Sequence, residues 1–189
     1  MNTCLKVVLF FAFIVVNNQL LLAGPVDKDK QTMVDIRRTT LVVNNAEKSL
    51  ELYRDALGLH VIYDQMINSP MADGNIKQRR LVLLRANDDF IGVIGILQYI
   101  YPLKPQRIET FSEPVPGDPI IVLNVKDLET RWDKVKSVEG IEIIETPSLV
   151  EYPRAGGGKI AVLVSMIRDA DGYWLEVNKI LDAPAQASD

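Results

Sequence analysis

Apolar and polar positions along the chain follow two periods, and these predict strands and helices in an order that occurs twice. Residues 35–43 alternate as a strand does, and Asn45 then caps a helix whose apolar positions recur at helical spacing until Gly58. The same order returns 82 positions later, with a second strand, a helix cap at Asp127 and a stop at Gly140. Cap and stop keep one offset, so the sequence predicts an internal repeat.

Three further strand-like stretches follow each predicted helix. They cover 60–67, 77–85 and 90–100 in the first half and 141–149, 159–168 and 173–180 in the second. Each half is therefore a predicted βαβββ unit, called here module one (34–100) and module two (120–182). The connector, residues 101–119, holds five of the 10 prolines, which is typical of an extended link. We expect an α+β fold in which the paired modules form a curved mixed sheet around a cup, within one chain or across a homodimer.

The first 24 residues have the layout of a secretory signal peptide. They carry Lys6, an apolar run at 7–16 and a second one at 20–23, and the longer run is too short to cross a bilayer comfortably. We expect export to a periplasm or the exterior, and no membrane contact after cleavage. The alternative is an uncleaved N-terminal membrane anchor. A linker at 25–33 and a flexible tail at 183–189 flank the predicted domain.

The composition argues against nucleic-acid binding and against cysteine or serine-triad chemistry. The chain is 48% hydrophobic and 24% charged, which suits a folded core, and its net charge of -4 comes without a basic stripe for a phosphate backbone. Nucleic acid is therefore not an expected partner. Cys4 is the single cysteine and precedes the predicted cleavage site, so the mature chain has neither disulfide nor thiol chemistry. His60 is the single histidine, read as a partly exposed strand residue, and no Ser-His-Asp set can be assembled.

A glycine run at 156–158 has two readings. A phosphate cradle normally opens a helix, whereas a β-rich stretch follows here. The run is better interpreted as a hairpin loop that closes over the cup, with Arg154 and Lys159 as possible ligand contacts.

Four segments of the repeated architecture carry recognisable motifs, namely TTLVV at 39–43, SLELY at 49–53, LGL at 57–59 and RDADGYWLEV at 168–177. Together they resemble the vicinal-oxygen-chelate superfamily of glyoxalases, bleomycin-resistance proteins and extradiol dioxygenases. The segment at 168–177 is the most specific, because it is similar to the family pattern of Asp, any residue, Asp, Gly, an apolar stretch and Glu. Its residues 169–172 also predict a tight turn, with Gly172 at positive φ. The resemblance covers about residues 34–182 and implies the cup-shaped fold.

The resemblance also implies a divalent metal in the cup, held by His or Glu from the first and last strand of each module. On this chain those positions fall at Arg38, near Gly95, at Ile120 and at Glu176, with Gln98 replacing Gly95 if the strand is read in another register. Only Glu176 offers a carboxylate, and one carboxylate does not hold a catalytic metal. No metal and no other cofactor are therefore expected.

Arg38 and Glu176 are the candidates for chemistry, because the resemblance places both in the cup. Arg38 would recognise an anionic group and Glu176 would orient it. Alternatively, the two form an ion pair that closes the cup. Strand alternation adds four neighbours with polar or aromatic side chains, namely Thr40, Tyr99, Trp174 and Asn178. The aromatic pair has the alternative of simply filling a core.

Three functions remain open from the sequence. The first is an exported module that binds a small, anionic organic molecule without a metal. The second is a glyoxalase-like or dioxygenase-like enzyme with a displaced metal site, or with metal-free acid-base chemistry at Glu176. The third is a structural protein that presents its sheet edges to another chain.

Overall fold

The computed structural model describes residues 28–106, 111–153 and 157–181. These residues form two βαβββ modules, as the repeat predicts. The eight strands run in chain order as β1 Arg38–Val43, β2 His60–Pro70, β3 Ile76–Arg85, β4 Val93–Tyr101, β5 Ile120–Asn124, β6 Glu142–Pro153, β7 Lys159–Arg168 and β8 Trp174–Ile180. A short 3-10 turn, Lys28–Lys30, precedes them. The predicted signal peptide (1–24) and tail (183–189) lie outside the described residues.

Each module forms its own four-stranded mixed sheet. The strand order is β1-β4-β3-β2 in module one and β5-β8-β7-β6 in module two. In both sheets the first strand is parallel to the last, while the hairpins between the other strands are antiparallel. The curved mixed architecture expected from the sequence is confirmed, with the hydrogen-bonded ladders kept separate in the two modules.

The two helices begin and end near the predicted residues. Helix α1 comprises Ala46–Leu50, continued in π form by Glu51–Ala56, and α2 comprises Leu128–Ser137. The Asn45 side chain caps α1 by accepting the Glu47 N–H at 3.0 Å. Asp127 occupies the matching position of α2, but its carboxylate accepts from Arg131 Nε at 2.8 Å and caps no backbone amide. Both helices stop before a glycine at positive φ, Gly58 and Gly140.

One hydrophobic core joins the modules on the helix side of the sheets. It takes alternate residues of the strands and the inner faces of both helices. Its largest fully buried members are Tyr53, Leu41, Leu50, Leu52, Leu84, Ile96, Leu128, Ile167 and Leu175. Because both modules contribute to this core, they are paired within one chain and the opposite faces of both sheets are left to form the cup. Among the described residues, no helix is long and apolar enough to span a membrane.

The turn before β8 fastens module two to module one. The Asp171 carboxylate accepts from the Asn44 backbone and side-chain amides at 2.8 and 2.7 Å, and the Tyr173 hydroxyl bonds both the N–H and the carbonyl of Val42. The predicted tight turn is confirmed, since the Gly172 N–H donates to the Asp169 carbonyl at 2.9 Å and Gly172 has a φ of 87°. The most family-like segment of the sequence is therefore also the joint between the modules.

Asp169 and Tyr53 form the buried part of this joint. The Tyr53 hydroxyl donates to Asp169 Oδ2 at 2.9 Å, while Asp169 Oδ1 accepts the N–H groups of Asp171 and Tyr173. Burial raises the pKa of the Asp169 carboxyl, against the lowering effect of these hydrogen bonds. Burial, followed by the nearby Asp169 charge, raises the pKa of Tyr53 well above its ordinary value.

Candidate functional site

Arg38 and Thr40 project from β1 on the cup side and lie against Gly95 of β4. Thr40 is the register partner of Gly95, and a Cβ added to Gly95 would lie 2.9 Å from Thr40 Oγ1 and 3.2 Å from Arg38 Cδ. The aliphatic stem of Arg38 therefore crosses the strand just where Gly95 leaves room. A larger residue at 95 would push that stem aside.

Strand register identifies the counterpart of Glu176. Thr40 pairs with Gly95 in module one, and Val122, which follows Thr40 by the repeat offset of 82, pairs with Glu176 in module two. Gly95 is therefore the position equivalent to Glu176. The alternative placement on Gln98 is wrong, because the Gln98 side chain faces the helix side and accepts the Ala46 N–H at 3.1 Å.

Glu176 is held by Asn178, its neighbour on the same face of β8. Asn178 Nδ2 donates to Glu176 Oε2 at 2.7 Å, and Asn178 Oδ1 accepts the Ser165 N–H at 3.1 Å. Because the backbone amide requires the oxygen of Asn178, its NH₂ group must point to Glu176. Asn178 is 7% exposed, whereas Glu176 is half-buried, so a fixed amide orients a carboxylate that solvent still reaches.

Trp174 lies on the cup face but is covered. Its side chain is 3% exposed, and the Arg168 guanidinium lies 5.1 Å from the ring centroid. Arg168 is anchored in turn by an ion pair with Glu142 and by the Phe111 carbonyl, which accepts from Nη1 at 2.8 Å. A cavity of about 200 Å³ adjoins this stack and is lined by Phe111, Glu142, Arg168, Trp174 and the turn at 169–172. The ring of Trp174 is thus covered within module two and is not open to solvent.

Tyr99 lies at the other end of module one from Arg38, on the same face of β4 as Gly95 and Leu97 by strand alternation. Lys104 of the connector places its ammonium 5.0 Å from the centroid of the Tyr99 ring. Lys104 also lines a second cavity, of about 230 Å³, between the end of β1 and the turn before β8. Tyr99 is half-buried, so part of its ring is open to a ligand.

Arg38 and Glu176 do not form the ion pair that the sequence allowed. Within residues 28–106, 111–153 and 157–181, no hydrogen bond or salt bridge joins them, and the Arg38 side chain has no carboxylate partner. Arg38 is exposed. Its guanidinium therefore offers its full set of donors to solvent or to a ligand.

The residues at the family's metal positions do not fit a divalent cation. Arg38 brings a permanent positive charge, and Gly95 and Ile120 have no donor atoms, which leaves Glu176 alone. Over the part of the chain that the structure describes, no three His, Cys, Asp or Glu side chains converge on one point.

The remaining sequence candidates are His60, the glycine run and the two cations that flank it. His60 is exposed at the start of β2. The glycine run connects β6 to β7 and so belongs to a hairpin, with Gly157 and Gly158 at positive φ. Lys159 is paired with Glu151 at 2.6 Å, while Arg154 lies outside the described residues.

Sequence reasoning missed Arg79, which projects from β3 next to Tyr99. Arg79 and Tyr99 are register partners, and so are Leu81 and Leu97, so these four side chains share the cup face. The signal was available in the alternation of Arg79, Leu81 and Leu83 along one strand. It was overlooked because only the first and last strand of each module supplies metal ligands in the resembled family.

Comparisons with known proteins agree with this architecture. A sequence profile described as Glyoxalase/Bleomycin resistance protein/Dioxygenase superfamily matches residues 35–177. A glyoxalase family protein from Bacillus cereus is similar in structure, with a TM-score of 0.59 at 14% identity over 80% of this chain and 97% of that chain. This likeness shows the fold alone.

Two further solved structures are less similar. The trypanothione-dependent glyoxalase I of Leishmania major has a TM-score of 0.48 at 15% identity, over 77% of this chain and 86% of that chain. A glyoxalase family protein from Enterococcus faecalis has a TM-score of 0.46 at 17% identity, over 78% of this chain and 98% of that chain. No curated protein sequence matches the chain.

Proposed function

The chain belongs to the Glyoxalase/Bleomycin resistance protein/Dioxygenase superfamily, and from this premise we propose that it is an exported protein that binds a small, anionic organic molecule in its cup without a metal. One observation carries the proposal. The Arg38 stem lies across Gly95 with its guanidinium unpaired among the described residues, at a position where the family would place a metal ligand. Arg38 brings a positive charge to the position where the family would place a metal ligand. The cup therefore favours an anion without the help of a metal.

The lining of the cup supports a small organic ligand. Val42 and Val122, on the first strand of each module, are 44% and 61% exposed on the cup side. Exposed apolar side chains beside a few fixed polar groups are typical of small-molecule sites. Thr40 lies beside Arg38, and Asn178 fixes Glu176, so hydrogen-bonding groups are available in both modules.

Each charged residue has a distinct role in this proposal. Arg38 donates two parallel hydrogen bonds from its guanidinium to the oxygens of a carboxylate or a phosphate group. Glu176 accepts a hydrogen bond from a hydroxyl or amine of the same ligand, because Asn178 occupies only its Oε2 atom. The export step rests on the composition of residues 1–24, and N-terminal sequencing of the protein recovered outside the cytoplasm tests it.

Arg38→Ala and Glu176→Ala test the site. A panel of small organic acids is screened against the full chain by ligand-observed NMR, and the acid that binds best is titrated calorimetrically into both variants. We expect each variant to weaken binding about tenfold or more, because each loses one charge-assisted hydrogen bond. Thermal unfolding should stay within a few degrees of the wild type, since neither side chain belongs to the shared core.

Arg54→Ala is the matched control, because Arg54 is exposed on the π segment of α1 and its one ion pair among the described residues is with its neighbour Asp55. It removes the same charge without touching the cup, so binding should not change. If the Arg38 and Glu176 variants lower stability but leave binding unchanged, the two residues are structural and the proposed site is wrong.

A further inference from the structure

The Arg79 guanidinium has no carboxylate partner among the described residues. Its Nη2 donates to Ser69 Oγ at 3.2 Å, while its Nε is buried without a hydrogen-bond acceptor. Leaving a charged donor buried and unpaired is costly, and such atoms are rare in native proteins. The edge formed by Nε and Nη2 is the one with which a guanidinium binds two oxygens of an oxyanion.

Arg80, the next residue along β3, uses its Nε and Nη2 edge to bind a carboxylate. Arg80 points to the helix side and binds Asp64 through Nε and Nη2 at 2.8 and 2.7 Å, with Glu47 on Nη1. Arg79 points to the cup, where the Ser69 hydroxyl is its one side-chain acceptor among the residues that the structure describes. Two adjacent arginines thus face opposite sides of the sheet, one with its carboxylates supplied by the protein and the other without.

A second cation accompanies Arg79. Lys104 lies over the ring of Tyr99, and Tyr99 is the cross-strand partner of Arg79. Among the described residues neither Arg79 nor Lys104 forms a salt bridge with a carboxylate. Within the part of the chain that the structure describes, no carboxylate therefore lies within ion-pair distance of either charge, and both charges attract an anion to this end of the cup.

Arg38 and Arg79 mark opposite ends of the same face. Arg38 lies over Gly95, and Arg79 lies beside Tyr99, four residues further along β4. A strand rises about 3.3 Å per residue, so the two anchor points are separated by roughly 13 Å. Leu81 and Leu97 pair between them and make the intervening surface apolar.

We infer that Arg79, with Ser69, Tyr99 and Lys104, is a second oxyanion subsite, and that the ligand carries an acidic group at each end of an apolar body. The inference rests on the proposed function, because Arg38 is the site for the other acidic group. When the second oxyanion enters, the Ser69 hydroxyl turns aside by rotation about χ1 and the Arg79 edge exchanges one weak acceptor for two charged oxygens.

The test uses sebacate, which has two carboxylates on a straight apolar chain, and its monomethyl ester, which has one. Both are titrated calorimetrically into the full wild-type chain and into Arg79→Gln, Arg38→Gln and Arg54→Gln, the last as a charge-matched control outside the cup. We expect the wild type to bind sebacate about tenfold or more tightly than the monoester, and Arg79→Gln to remove that preference. Arg54→Gln should behave like the wild type, and unchanged circular dichroism confirms that each variant is folded.

Inorganic phosphate is titrated in parallel, with the side-chain Nε–H resonance of Arg79 as the readout, because the same edge takes a carboxylate or a phosphate. Perturbation of that resonance by either anion supports the subsite. The subsite is overturned if the wild type does not distinguish sebacate from its monoester, if neither binds, or if Arg79→Gln keeps the preference. Loss of monoester binding in Arg38→Gln with no effect of Arg79→Gln would leave the proposed function standing and reject this inference alone. If Arg79→Gln removes the preference for sebacate while Arg38→Gln has no effect on binding, the Arg79 subsite stands and the role of Arg38 is rejected.

Discussion

The hydroxyl of Tyr53, in the π segment of the first helix, donates a 2.9 Å hydrogen bond to the Asp169 carboxylate, 116 positions away at the start of the last turn. Both side chains are buried, so the bond forms where water does not compete. It joins the two modules on the helix side of their sheets. The relative placement of Arg38 and Glu176, which belong to different modules, depends on this joint.

Tyr53→Phe should lower the stability of the whole domain. The substitution leaves Asp169 Oδ2 without its donor in a buried site, which costs about 1–3 kcal/mol. Urea unfolding at pH 7 measures the change in the free energy of unfolding. Tyr63→Phe, at an exposed tyrosine of β2, is the control and should cost less than about 0.5 kcal/mol. Equal effects of the two substitutions would show that the joint is not a source of stability.

The same tyrosine should make stability fall in alkali. Burial raises the pKa of Tyr53 well above 10.0 in the folded chain, whereas the unfolded chain ionises near that value. The unfolded state therefore loses its proton first, and stability is lost as pH rises above about 10. Tyr53→Phe should show a shallower decline between about pH 9.5 and 11 in urea unfolding. An unchanged slope would contradict the raised pKa.

Asp169 should make the stability of the domain depend on pH in the acidic range. Its pKa is raised by burial, so the folded chain holds the proton more tightly than the unfolded chain. The contribution of Asp169 is fully favourable below its ordinary pKa of 3.8 and declines as pH rises through the raised value. Asp169→Asn, which keeps the shape without the charge, should remove this decline. Urea unfolding from about pH 3.5 to 7 compares the two chains, and parallel curves would contradict the prediction.

The architecture was predictable because its determinants are local. Cap and stop residues such as Asn45 and Gly58 act within a few positions, and the alternation of Leu41 and Val43 reports burial directly. Asp127 shows the limit of this reasoning. A cap residue was correctly placed there, but Arg131, one turn later, takes the carboxylate.

The candidate site was predictable only in part, because its contacts join distant segments. The sequence placed Glu176 and Asn178 on one face, and the structure adds the hydrogen bond between them. It gave no sign that Arg168 covers Trp174, since that stack depends on Glu142 and Phe111 from other parts of the chain. The cup-side position of Arg79 was legible in the alternation along β3 but was passed over, because the resembled family takes no metal ligand from that strand. Only the structure shows that its Nε is buried without an acceptor.

Restoring metal ligands should restore metal binding. Arg38 and Ile120 are equivalent in the repeat, and Arg38→His with Ile120→His would add two imidazoles to Glu176, the His₂Glu set of many zinc enzymes. We expect the double variant to bind about one Zn²⁺ per chain in calorimetry, and the single variant Arg38→His to bind far more weakly. A folded double variant that binds no zinc would show that these positions do not converge in the cup.

The central claim is that the cup binds an organic anion without a metal, and the metal content of the purified protein tests it most directly. The full chain is purified without chelators and examined by elemental analysis, and its binding of the best organic acid is measured before and after dialysis against EDTA. We expect far less than one metal ion per chain and the same affinity in both titrations, because Arg38 rather than a metal binds the anion. About one equivalent of zinc, nickel, manganese or iron, lost together with ligand binding on dialysis, would contradict it.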